Sequence, residues 1–435
     1  MANVSPPSHS RRSVLKLTGA LAVSGLAGCL GQPKYDRKAL DEALSTPIPV
    51  VGPPSLPLPS GYLTTARAIA QEETDRLDSR LSNLPAGLDS DHRAVHSARD
   101  ALSDARGLLG GQYPQTSPLD AIRYARQTLA EGHGWLDAVS GAISETDLRE
   151  RFDDFRPLVA ERREEIEYRA TTVPTGIVVA SAIEDRVYHA NRALEAGSWD
   201  LDKTERVGSD ERVQFLAMAA GEVEATRVAL ADAGAIIDGQ RERVFENTPS
   251  LHGPMTAAAE ALLDSVSETV DELDRIPTGQ PVAAMVAAGL TPGTDQASEA
   301  LDRDSPASAL DALSGIDHLL RIRARFLEQL DADAIPTADS TASVMQSRTR
   351  AVDALRAAIE SEPGPVERER LQRAADTIAD GDQHLGHLRD TARRRDAAAT
   401  DSARRATAAY LRGRYAAETA NPAAQRVISA VENEM

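Results

Sequence analysis

Leu310, Leu313, Ile316, Leu320, Ala324, Leu327 and Leu330 follow one another at steps of three and four, the spacing that lines residues along one face of a helix. A second such stripe runs through Val213, Leu216, Ala220, Val223, Leu230 and Ile237, broken by Arg227, which we expect to snorkel or to pair with a carboxylate. No convincing apolar and polar alternation marks a strand. A chain patterned in this way must bury its stripes against other helices. Similar patterns predict helices over 62–84, 90–109, 118–142, 145–170, 177–196, 254–276, 340–360, 365–389 and 391–417, with Ser305 and Pro306 supplying a cap and first-turn proline for the Leu310 helix.

The breaks between these segments, such as Leu84-Pro85-Ala86-Gly87 and Glu362-Pro363-Gly364-Pro365, are short. Short connections make neighbours antiparallel, so the expected fold class is all-α, built of helical hairpins packed as a bundle. Residues 278–305 are rich in breakers, which places a division between helical regions 62–277 and 278–435. Aromatic residues make up only 3% of the chain. The core is therefore mostly Ala, Leu, Val and Ile, small enough for helices to approach closely. Cys29 is the only cysteine, so no disulfide forms within the chain.

Ahead of the helices lies an export pattern. Arg11 and Arg12 precede an uncharged apolar run from Leu17 to Ala27, the charged-then-apolar order of a secretory signal. As a helix, residues 17–30 would span about 21 Å, short of the ~30 Å hydrocarbon core. Ser10-Arg11-Arg12-Ser13-Val14-Leu15-Lys16 resembles the twin-arginine export motif, with Val14 where that motif has an aromatic residue. Leu26-Ala27-Gly28-Cys29 resembles the lipobox of the bacterial and archaeal lipoprotein family. The resemblance implies removal of residues 1–28 and lipid on the Cys29 thiol, holding the protein at the outer face of the cytoplasmic membrane.

Residues 29–61 then form a lipidated N-terminus and a proline-rich run. One short helix fits within 31–45, after which Thr46-Pro-Ile-Pro-Val-Val-Gly-Pro-Pro-Ser-Leu-Pro-Leu-Pro-Ser-Gly61 excludes helix and sheet interior. As a free polyproline II spacer it would extend about 3.1 Å per residue and lift the domain ~45 Å from the membrane. Ile48, Val50, Val51, Leu56 and Leu58 are too apolar for that role. We expect an extended strap lying partly against the helices.

Few residues suggest chemistry. His384 and His387, three apart and close after Asp380 and Asp382, share the spacing of metal ligands, as do His92 and His96 after Asp89 and Asp91. Neither pair carries the Glu of His-Glu-x-x-His. Asp200 to Glu211 places acids at the first, third and twelfth positions of a calcium loop but has Glu205 where that loop turns on Gly. Glu131-Gly132-His133-Gly134-Trp135 reads as a helix kink packed around the tryptophan. There is no Gly-x-Ser-x-Gly elbow, phosphate-cradling glycine motif or free catalytic thiol. The pattern points to no catalytic residues and no cofactor beyond the lipid. It fits a non-enzymatic binding or scaffolding module with a protein partner in the envelope. The alternative is a metal carrier or metal-dependent enzyme built on His384 and His387.

Charge separates the partners further. The formal net charge is −19 and, because residues 1–28 carry Arg11, Arg12 and Lys16 but no acid, becomes −22 once they are removed. Such a field disfavours nucleic acid. Lysine occurs only at 16, 34, 38 and 203. This acid-rich, lysine-poor balance resembles that of secreted proteins of salt-loving archaea. Screening reaches about 3 Å at 1 M salt and about 10 Å at 0.1 M, so carboxylates that ignore one another in brine repel in dilute buffer. Stability rests on roughly 5–15 kcal/mol. The melting temperature is expected to fall markedly between about 2 M and 0.1 M potassium chloride, beyond the change given by a neutral osmolyte control. A flat melting point would remove the salt-adaptation reading.

Overall fold

The computed structural model describes residues 35–435 except 85–87, 112–116, 246, 275, 277–278 and 392–396. The described residues form fourteen α-helices and no strand. In chain order these are α1 (Arg37–Ser45), α2 (Tyr62–Ser82), α3 (Arg93–Leu109), α4 (Pro118–Ser140), α5 (Glu145–Glu164), α6 (Val173–Thr204) and α7 (Ser209–Arg241). They continue as α8 (His252–Asp271), α9 (Pro281–Ala287), α10 (Asp295–Asp302), α11 (Pro306–Asp331), α12 (Thr341–Glu360), α13 (Pro365–Thr391) and α14 (Ala397–Asn433). Residues 1–34, which hold Arg11, Arg12 and Cys29, lie outside the described residues.

Helices α2 to α7 form a first bundle whose members alternate in direction. The pairings fix this: Tyr62 at the start of α2 meets Asp232 late in α7, and Arg80 at its end meets Asp137 late in α4. Asp120 early in α4 meets Arg186 of α6, and Glu145 opening α5 meets Thr204 closing α6. Glycine lets the helices approach. A Cβ on Gly134 would stand 2.9 Å from Ala220 Cβ and 3.0 Å from Ala217 Cα of α7, while one on Gly132 would meet Leu77 of α2 and Ala101 of α3. The helix runs unbroken through both glycines, so the expected kink at Trp135 is instead a docking surface used on two sides.

Helices α11 to α14 alternate in the same way as a second bundle, with α1 and α9 on it. Its outer core gathers Leu40, Phe326, Val344, Leu385 and Tyr410. Between the two bundles a third cluster joins Val173, Ile177 and Val178 of α6 to Met255 of α8, Leu310 and Leu313 of α11, and Val427 and Val431 of α14. Helix α8 packs on α10, α11 and α14. It thus sits with the second bundle, although the sequence pattern groups it with the first. Helix α14 also runs sixteen residues beyond its expected end, straight through Pro422. The missing N–H costs a bond to the carbonyl four residues back, but Ala423, Ala424, Val427, Ile428 and Val431 are all buried in the joint. That apolar area outweighs the lost bond.

The joint turns on one carboxylate. Ser305 makes no side-chain cap to α11, contrary to expectation. Glu184 of α6 takes that place, its Oε1 accepting from Ala307 N at 3.2 Å and its Oε2 from Ser308 N at 2.5 Å. Tyr168 OH donates to the same carboxylate at 2.9 Å, and Ser308 Oγ donates to Asp185 at 3.1 Å. Negative charge at a helix N-terminus is favoured by the backbone dipoles.

The strap runs along the second bundle from its outer end to the joint. Tyr35 OH donates to Ala338 O at 2.9 Å and Asp36 N to Thr341 Oγ1 at 2.7 Å. Helix α1 then lies on α12 and α13, and Arg348 holds Thr46 O at 2.7 Å. Val51 is 4% exposed, Ile48 packs on the second core and Leu56 and Leu58 pack on the first, whereas Val50 faces solvent at 67%. At Gly239 of α7 the strap passes so near that a Cβ would collide with Pro57 O. Gly239→Ala is therefore expected to displace the strap and cost about 1–3 kcal/mol. An unchanged denaturation midpoint would show that the strap is not seated there.

Candidate functional site

The residues singled out in the sequence for metal binding do not converge. Asp382 is spent inside the second bundle: Arg348 grips it through Nε and Nη2 at 2.7 Å each, and Tyr410 OH donates to it at 2.7 Å. His384 is half-buried on α13, its pKa lowered by burial and then by Arg405, while His387 is exposed. Among the described residues, no three of His, Cys, Asp and Glu are placed to hold a metal ion. His92 caps α3, its Nδ1 accepting from Ala94 N at 3.2 Å, and His96 is exposed. The stretch resembling a calcium loop is helical through Thr204, so Asp200 and Asp202 lie on α6 rather than in a loop. Arg227 pairs with Glu224 of its own helix at 2.6 Å.

The densest constellation of ionisable groups lies where sequence reasoning did not look, inside the first bundle. Arg123 and Arg126 of α4 and Arg186 of α6 are buried. Arg123 and Arg186 both reach Asp120 Oδ1, at 3.2 and 3.1 Å, and Arg126 reaches Glu224 of α7 at 2.9 Å. Burial alone would raise the Asp120 pKa, yet the two guanidiniums hold it below the carboxylate norm. Tyr62 OH donates to Asp232 at 2.7 Å, and burial pushes Asp232 up to about 6. His189 stands beside the same arginines. Burial, then Arg123 and Arg186, depress it to about 4, which keeps the imidazole neutral at pH 7. Towards the joint, burial pushes Glu184 up to about 7.

A second group gathers carboxyls from α4, α6 and α7. Asp200 of α6 is 3% exposed, and burial, then Glu131 of α4, push it up to about 7. Burial, then Asp200 and Glu131, push Glu222 of α7 up to about 8. Glu131 is fixed close by because it lies beside Gly132 and Gly134, and its Cβ stands 3.3 Å from where a Cβ on Gly221 would be. Asp200 and Glu222 therefore hold protons near neutral pH, and that binding is coupled to the packing of α4, α6 and α7. The sequence carried a partial signal for the whole network: Glu184-Asp185-Arg186 interrupts the apolar run of α6 between Ile183 and Val187. Which charges faced inward depended on which helices met.

Comparison with known families divides the chain where the packing does. Residues 62–247 are similar to a family described as Domain of unknown function (DUF8262), and residues 252–429 to one described as Domain of unknown function (DUF8264). No curated protein and no solved structure matches the chain. The first match covers the α2 to α7 bundle. The second begins with α8, as its contacts with α10, α11 and α14 require.

The raised carboxyl pKa values set the direction of a pH effect. A group that holds its proton more tightly when folded contributes fully below its unfolded pKa, and the contribution is lost as pH rises towards the folded value. For Asp200 that window runs from about 4 to about 7, with a loss on the order of 4 kcal/mol across it. Asp200→Asn is expected to leave stability at pH 5 little changed and to raise it at pH 9. Equal effects at both values, read by urea denaturation, would show that Asp200 keeps an ordinary pKa.

Proposed function

We propose that the chain is a lipid-anchored, extracytoplasmic helical protein at the outer face of the cytoplasmic membrane. There it acts as a non-enzymatic binding or scaffolding module for another envelope component. Cys29 carries the reading: the only thiol in the chain stands directly after Leu26-Ala27-Gly28, behind a paired arginine and an apolar run. Among the described residues no helix is long and apolar enough to cross a membrane. Two acyl-type chains on one residue anchor stably where a single chain binds only marginally, at about 0.8 kcal/mol per buried methylene.

The folded part supports a structural role. Its buried ionisable groups are paired with one another or enclosed between helices, as Asp382 is by Arg348 and Tyr410. That arrangement fixes helix register. The acidic surface fits work in concentrated salt, where its self-repulsion is screened. Cys29→Ser is expected to move the mature protein from the membrane to the soluble fraction while leaving its helical circular dichroism unchanged. Membrane fractionation identical to the parent would sink the anchoring reading.

A further inference from the structure

If Cys29 bears the lipid, the distance from the bilayer to the folded protein is set by the residues between Cys29 and the first docked side chain. Among the described residues that side chain is Tyr35, bonded to Ala338 O, followed at once by Asp36, whose backbone N–H donates to Thr341. Five residues lie between 29 and 35, and the six trans peptides that join them span at most about 22 Å in any conformation. The proline-rich run comes later in the chain and is itself seated on the protein from Ile48 to Leu58. It adds nothing to the reach.

The fold places this leash at one extremity. Helix α11 starts at Glu184, sends Leu310 and Leu313 into the joint and carries Ile322, Phe326 and Leu330 into the outer core beside Ala338. Helix α6 runs from the joint the other way, through Val187, Leu194 and Leu201. At ~1.5 Å per residue, Ala307 to Leu330 covers about 35 Å along α11 and Glu184 to Leu201 about 26 Å along α6. The Tyr35 end and the α6–α7 turn thus belong to different bundles, with the joint between them.

We infer that the end of the second bundle built by α1, the 332–340 connection and the C-terminus of α13 is the surface that faces the bilayer. The α6–α7 turn then stands away from it. The inference rests on the anchoring reading and adds an orientation to it. Nothing on the flanks competes for lipid. The large apolar side chains that are exposed, Val50, Ile69, Leu158, Trp199, Phe245 and Met435, sit on six separate segments rather than in a strip.

The test labels the lipidated, membrane-extracted protein in vesicles whose headgroups carry an energy acceptor. A donor dye is placed on Thr337→Cys or, if that variant misfolds, on Asp339→Cys, and separately on Ser209→Cys at the α6–α7 turn; all three positions are exposed. Strong transfer from 337 or 339 together with loss of transfer from 209 is the expected result. Equal transfer from both ends, or more from 209, overturns the orientation. The same labels on a Cys29→Ser background report separately on the anchor. If those proteins float with the vesicles as the parent does, the anchoring reading itself fails.

Discussion

The joint between the bundles depends on a single charged side chain whose solvation has been replaced by backbone. Glu184 is 3% exposed, and a carboxyl buried to that degree is costly unless donors surround it. Two backbone N–H groups of α11 and the Tyr168 hydroxyl supply them. In turn α11 has no other cap, since Ser305 leaves its first amides unserved. Each side satisfies what the other would otherwise leave unpaired, so the angle at which α6 meets α11 is fixed by hydrogen bonding as well as by the apolar cluster around it. Everything beyond the joint inherits that angle.

Within the first bundle the same economy of space shapes the chemistry. Gly132, Gly134 and Gly221 bring α4 against its neighbours until backbone and Cβ atoms touch. Close approach excludes water, and excluded water raises the cost of charge. Asp200 and Glu222 are acids caught there, and burial raises the pKa of both. The arginines by Asp120 show the opposite solution, in which a guanidinium was available and the carboxylate stays ionised.

Much of the architecture could be read from apolar spacing. The Val213-to-Ile237 stripe lies within α7 (Ser209–Arg241), and the pattern over 340–360 matches α12 (Thr341–Glu360). The failures have local causes. Pro422 reads as a stop, but the buried residues after it keep α14 helical. Asp200 and Asp202 read as loop acids because charge was taken to mean solvent, whereas α6 continues past them. The short helices α9 and α10 are too brief to show a period. The site was less legible than the fold. A lone stripe shows which residues face inward, not whether a partner helix brings a countercharge, and that decided the fates of Asp120, Asp200 and Asp382.

The strap has a temporal meaning as well as a spatial one. Tyr35 and its acceptor at Ala338 are 303 residues apart, and closing so long a loop in an unfolded chain costs about 5 kcal/mol of entropy. The cost nearly vanishes once both bundles have formed, because their packing already holds the strap's two ends in place. The segment from Tyr35 to Gly61 is thus a clasp whose closure is easiest on a finished body.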